Sequence, residues 1–284
     1  MEIFTLQNPH LQMRVTSQGA ALLALETATQ QPILRPWQGD TPFHAGESSL
    51  FPMLPLANRV AGNRFAQRGK TVNLPARPGD RDGFLHGNGW LTQWEVSEIK
   101  ENAITLQRRA KETCGFDYHA QITYTLAETR FIAQLVITHC GATPMLYGAG
   151  FHPFFAKTPQ TQLQFSASGY WPEDERHLPL EWASVIPAAL DFMVPSRPGA
   201  QWMNNAYSGW NGVARLINDE SAIILRSDTP WLMVYQTPQS EFICLEPQTH
   251  PVNAHNQPGQ PGLRLLMAGE HLAFTLHIEA LQQL

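Results

Sequence analysis

Charge is scarce in this chain of 284 residues: 15% are Asp, Glu, Lys or Arg, and 19 basic against 24 acidic residues give a formal net charge of −5. The basic residues are scattered and form no stripe, so neither a nucleic-acid surface nor an anionic membrane surface has electrostatic support. Long apolar runs are also missing. No stretch approaches the length of a spanning helix, and the N-terminus has no basic start followed by an apolar core, so a soluble, cytoplasmic protein is expected. Cysteine is limited to Cys114, Cys140 and Cys244, an odd number without paired zinc-type spacing; buried reduced thiols are expected, not disulfides or a metal centre. No segment keeps a 3.6-residue apolar period over three turns, so helix should be sparse. The chain also lacks a G-x-S-x-G elbow, a P-loop, a dinucleotide fingerprint and H-E-x-x-H spacing, which leaves no motif-based case for those chemistries.

Turn formers and alternating segments are plentiful. With 22 prolines, 20 glycines, 8 tryptophans and 43% hydrophobic residues, the composition suits an all-β protein with many loops. Strand signals recur at 104–110, 119–127, 130–140, 221–227, 231–237 and 271–280. Within 130–138, Phe131, Ala133, Leu135 and Ile137 share one face while Arg130, Gln134 and Thr138 make the other more polar, as in a sheet with differently solvated faces. Glu128-Thr129 and Asn218-Asp219-Glu220 read as hairpin turns, and the proline-rich stretches 187–198 and 251–262 as long ordered loops. No repeat or linker divides the chain, so one domain over 1–284 is expected, an antiparallel β-sandwich with functional loops.

Four stretches place polar groups in apolar settings. "GAGFHPFF" at 148–155 sets His152 among aromatics, where a histidine is either a core residue satisfied by backbone or a proton-transfer group. "GFLHGNGWLTQW" at 83–94 flanks His86 with glycines and follows it with Trp90 and Trp94, either a tight turn before a strand or a backbone brought close to a ligand beside indole platforms. "FICLEPQ" at 242–248 ends an apolar strand in Glu246, a carboxylate that is costly to bury unless paired or used. In "LFPMLPLANRVAGNRF" at 50–65, Arg59 either pairs with a surface carboxylate or offers its fork of donors to vicinal hydroxyls. His250 and His255 add imidazoles, but without H-x-H spacing or paired carboxylates they compose no metal site.

Taken in order, "FPMLPLANRVAGNRF", "FLHGNGW", "GFHPFF", "NNAYSGWNG" and "CLEPQTHPVNAHNQPG" resemble the aldose 1-epimerase (galactose mutarotase-like) family, and "GLRLLMAGEHLAFTLHI" resembles its closing segment. The resemblance spans almost the whole chain. It implies a large antiparallel β-supersandwich with an open carbohydrate cleft on one sheet, and a mutarotase that turns over a free aldose without cofactor or metal, as a monomer or homodimer. By position it matches Glu246 to the catalytic base, His152 to the catalytic acid, and His86 and Arg59 to residues that hold the sugar, with Asn204 and Trp210 as further substrate contacts. Many relatives have an aspartate where this chain has Asn204. A neutral amide is expected to hold a sugar less tightly or to serve a differently oriented hydroxyl, so Asn204→Asp should lower KM or shift preference, unless Asn204 faces solvent or Asn205 takes its place. Two rival readings stay open: a hexose-6-phosphate 1-epimerase, for which Arg59 and Arg64 are too few cations, and a non-catalytic carbohydrate-binding protein.

Overall fold

All six alternating segments become strands in the computed structural model, which describes residues 1–39, 41–76, 84–218 and 221–282. They fall on Ala103–Lys111, Asp117–Ala127, Arg130–His139, Ser221–Ser227, Trp231–Gln236 and His271–Gln282. The turn expected at Glu128-Thr129 joins two of them, with Arg130 opposite Ala127. Asp219 and Glu220 of the other expected turn, and Gly83 of the histidine stretch, lie outside the described residues. Helix among the described residues is confined to four 3-10 turns of three residues each.

Two large antiparallel sheets make the sandwich. The nine-stranded sheet runs, in spatial order, Ile3–Gln7, Leu11–Thr16, Leu22–Thr27, Leu50–Met53, Gly150–Ala156, Phe242–Gln248, Trp231–Gln236, Met203–Ser208 and Gly169–Trp171. The eight-stranded sheet runs Gln162–Phe165, Val213–Ile217, Ser221–Ser227, His271–Gln282, Arg130–His139, Asp117–Ala127, Ala103–Lys111 and Glu95–Ile99. Their facing sides share the main core: Phe151 of one sheet stacks on Phe274 of the other with centroids 5.5 Å apart. Phe131, Ala133, Leu135 and Ile137 all point into it, each no more than 1% exposed. Burying each such large apolar side chain contributes about 1.5–3 kcal/mol before entropy is counted.

Strand alternation in the nine-stranded sheet positions the site. In Gly150–Ala156, Phe151 and Phe155 belong to the main core, which turns His152 and Phe154 to the opposite face. In Phe242–Gln248, Ile243 and Leu245 go inward, so Cys244 and Glu246 share that same outer face. A one-residue slip of either strand would exchange these sets, and the large apolar residues on the core side fix the register against it. The outer face is overlain by loops. One of these is the expected proline-rich stretch 251–262, tied down by Asn253 N donating to Arg59 O (3.0 Å); the other such stretch, 187–198, runs along the edge strand Gln162–Phe165 of the eight-stranded sheet, with Leu163 N donating to Ser196 O (2.8 Å).

The cysteines are all free, yet only Cys244 is buried; Cys114 is half-buried and Cys140 exposed, which corrects the expectation of three buried thiols. Cys140 follows the end of Arg130–His139, where the chain leaves the sheet and its face is no longer covered.

Candidate active site

Register decides which side chains meet. Gly150 pairs with Gln248 and Phe154 with Cys244 across adjacent strands, so His152 stands opposite Glu246. Nε2 of His152 lies 3.2 Å from Oε1 of Glu246, with the two residues 7% and 2% exposed. Phe51 and Phe154 each stack against the imidazole at 4.6 Å between centroids, walling the pair with apolar rings. Burial pushes the Glu246 carboxyl up to about 8, against the Gln248 amide that donates to it (3.3 Å) and the charge of Arg59. Burial, with the charge of Arg35 behind it, pushes His152 down to about 3. Between those limits the pair holds one proton, either as carboxyl with neutral imidazole or as carboxylate with imidazolium. Desolvation favours the first arrangement, and attraction at 3.2 Å favours the second.

The second histidine is built into a turn. His86 N donates to Asn58 O (3.0 Å) and Asn58 N donates to His86 Nδ1 (3.1 Å), a reciprocal tie between two segments. Because Nδ1 accepts, neutral His86 carries its hydrogen on Nε2. Both residues are in the left-handed region, at φ 57° each, a conformation that persists because the surrounding structure holds it. Gly87 follows at φ +66°, and a Cβ there would come within 2.1 Å of Leu54 O; only glycine lets the 84–90 turn lie so close to 54–58. His250, fully buried, accepts from Ala57 N at Nε2 (3.1 Å) and donates from Nδ1 to Pro251 O (2.8 Å), which fixes one neutral tautomer and anchors the same segment. Gly148 is the space that this ring needs, since a Cβ there would meet His250 Cδ2 at 2.1 Å.

The His152–Glu246 pair and His86 line one cleft of about 420 Å³, within the range of small-molecule sites. Arg59, His86, His152, Asn204 and Glu246 all border it, so five of the six residues singled out in the sequence are brought together. The residues left unpredicted at its wall include Arg35, Glu47, Trp202, Tyr235 and Phe242. Arg35 donates from Nη2 to Gly46 O and Ser48 O, each at 2.9 Å, and lies over the Phe154 ring at 3.9 Å. A second concavity of about 500 Å³ on the other sheet, bordered by Glu98, Lys100 and Thr123, carries an ion pair of 3.0 Å and no histidine. The cleft with the buried acid–base pair is the one suited to proton transfer.

A sequence model of the aldose 1-epimerase family matches residues 2–279, nearly the whole chain. The chain belongs to the aldose 1-epimerase family. Its similarity extends to YphB of Escherichia coli (strain K12), itself uncharacterized, which is 33% identical over 281 residues, covering 95% of this chain and 96% of that protein. A crystal structure from Escherichia coli K12, provisionally described as an aldose 1-epimerase, superposes with a TM-score of 0.94 at 31% identity over 99% of both chains. A galactose 1-epimerase from Lactobacillus acidophilus NCFM shares the fold, with a TM-score of 0.83 at 17% identity over 99% of this chain and 95% of its own. Membership gives the chain an epimerase role on sugars and the galactose mutarotase-like β-sandwich.

Within this aldose 1-epimerase frame one expected substrate residue moves out of the site. Trp210 is 3% exposed in the main core and donates from Nε1 to Val213 O (2.9 Å). It lies past the end of Met203–Ser208, beyond a left-handed Gly209 (φ 65°) that turns the chain away from the cleft. The two tryptophans after His86 also divide: Trp90 borders the cleft, stacked on Phe51 at 4.8 Å, while Trp94 is in the core. Asn204 does face the cleft, and strand alternation sends Asn205 to the opposite side, so Asn205 does not take its place. That alternation was the signal for Trp202 and Tyr235: Trp202 is two residues before Asn204, and Tyr235 is its partner on the next strand. Cys244, His152 and Glu246 bring ligand atoms within 4.8 Å of one another, the geometry a metal ion needs. Burial holds the Cys244 thiol far above its ordinary range, which opposes the thiolate that a metal ligand requires.

Proposed function

We propose that the protein is a mutarotase that interconverts the α and β anomers of a free aldose, with His152 as acid and Glu246 as base. The observation that carries this reading is the facing pair, 3.2 Å apart and buried at the floor of the cleft. O1 and O5 of a cyclic aldose are both bonded to C1, so an acid and a base for them need stand only a few ångström apart. Glu246 as carboxylate takes the O1 proton while His152 as imidazolium gives one to O5; C1–O5 breaks and C1=O1 forms. The pair is then carboxyl and neutral imidazole, the arrangement that burial favours. Rotation about C1–C2 presents the other face, His152 takes back the O5 proton, Glu246 returns one to O1, and the ring recloses. Proton count and charge balance over the cycle with no other reactant. His86 Nε2–H and Arg59 are the donors that hold the ring.

A sugar-phosphate substrate finds less support, because the described cations at the cleft are Arg35 and Arg59, and Arg35 is engaged with two carbonyls. Anomer exchange followed by NMR for neutral aldoses and their 6-phosphates tests the proposal. Exchange of a neutral aldose is expected, with Glu246→Gln and His152→Asn slowing it by about 10²- to 10⁴-fold while binding persists. Near-wild-type turnover in Glu246→Gln would remove it from the role of base.

A further inference from the structure

Asn204 borders the cleft, and a carboxylate lies directly behind it. Gly169 pairs with Ser208 and Trp171 with Ala206, and the same register carried two residues on sets Glu173 opposite Asn204. Glu173 Oε2 accepts from Asn204 Nδ2 and from His177 Nδ1 (2.9 Å), and Oε1 accepts from Trp202 Nε1 (2.9 Å). The loop beyond Glu173 folds back to supply His177: Glu173 bridges to Pro179, and His177 N donates to Asp174 O at 2.9 Å. Three donors from three side chains thus converge on one half-buried carboxylate.

An ionised carboxylate only accepts, so the amide of Asn204 must turn its NH2 towards Glu173; the flipped amide would set oxygen against oxygen. Oδ1 is left without a hydrogen-bond partner among the described residues, on a side chain that borders the cleft. We propose that Glu173 is a positioning residue that locks Asn204 as a pure acceptor, so that the cleft selects a neutral sugar whose hydroxyl at this point donates. The inference rests on the mutarotase reading for the identity of its ligand. Negative charge at this corner is moved one layer outward from the ligand, and a neutral oxygen faces the sugar. An anionic substituent in this position would meet both that oxygen and the carboxylate behind it.

The consequence reverses the expectation drawn from the sequence. Asn204→Asp does not restore a tighter contact; it presses two carboxylates together and breaks the lock. Adding Glu173→Gln to the same chain would supply an amide donor to the introduced carboxylate and rebuild the pair with the charge exchanged.

The test uses Asn204→Asp, Glu173→Gln and the double variant in the full chain, with anomer exchange measured on D-galactose, D-glucose and their 6-phosphates and stability measured by urea unfolding. Asn204→Asp is expected to raise KM for the neutral sugar about tenfold with a smaller change in kcat, and the double variant to recover most of that loss. The unfolding cycle should be non-additive in the same sense. A lower KM in Asn204→Asp, an additive cycle, or non-additive stability with unmoved KM values would each overturn the inference. Absence of exchange by the wild type on every sugar overturns the proposed function instead, and the unfolding cycle then decides the Asn204–Glu173 lock by itself.

Discussion

Replacing Glu246 by glutamine should make the protein more stable and nearly inactive, and the gain in stability should depend on pH. The carboxyl is carried from an ordinary 4.5 in the unfolded chain to about 8 in the folded protein, chiefly by burial. Below pH 4.5 it is protonated in both states, and the replacement is close to neutral. As pH rises from 4.5 to about 8, the unfolded chain releases this proton while the folded protein retains it, so stability falls through that window. At about 1.4 kcal/mol per unit, with the relief from Gln248 and Arg59 already contained in the shift to about 8, the loss at pH 7 is a few kcal/mol. Glutamine has no such proton to hold. The melting temperature of Glu246→Gln should therefore exceed that of the wild type by roughly 5 °C or more at pH 7 to 8, with the two converging near pH 4.5. Calorimetric scans of both proteins across that range measure it. A difference that does not vary with pH, or a variant less stable throughout, would mean that Glu246 is held ionised by its partners and that burial is not what sets its charge.

The pH–rate profile, corrected for spontaneous exchange, should be a broad plateau in which the pair holds one proton, falling above about 8 as that proton is lost and near about 3 as a second is gained. Limbs at the ordinary 4.5 and 6.5 would show that neither group is shifted in solution. Trp210→Ala should cost about 3–5 kcal/mol in urea unfolding through the cavity it leaves, with KM of the surviving folded enzyme little changed. A specific rise in KM without loss of stability would return Trp210 to the substrate site.

The sheets were legible in the sequence wherever one face meets the core and the other is more polar, because period-two alternation records that geometry directly. Arg130–His139 is the clearest example. The strand that carries His152 was not, since every residue from Gly150 to Phe155 is buried and alternation between core and cleft leaves no polar signature. Five of the residues singled out as local oddities or by resemblance border one cleft in the structure. Trp210 was misplaced because nothing in "SGWNG" shows that Gly209 turns the chain inward. Glu173 was invisible for another reason: 31 residues separate it from Asn204, and only cross-strand register makes them neighbours. Arg35 likewise reaches its carbonyls through tertiary packing alone.

The seating of the acid–base pair on two facing strands limits the kinds of change the chain tolerates. Inserting or deleting one residue within Gly150–Ala156 would swing His152 into the interior and thrust a phenylalanine into the cleft, and the same edit in Phe242–Gln248 would bury Glu246 among aliphatic side chains. Length is therefore frozen where protons are moved. Glu173 is held by the same rule, since it keeps the register of Gly169–Trp171 against Met203–Ser208, while the turn that carries His86 is held by its ties to Asn58 and by Gly87. A library of substitutions at constant length at Asn88 and in 178–182, with the strands, His86, Gly87, Trp90, Glu173 and His177 untouched, is expected to vary which sugar is accepted.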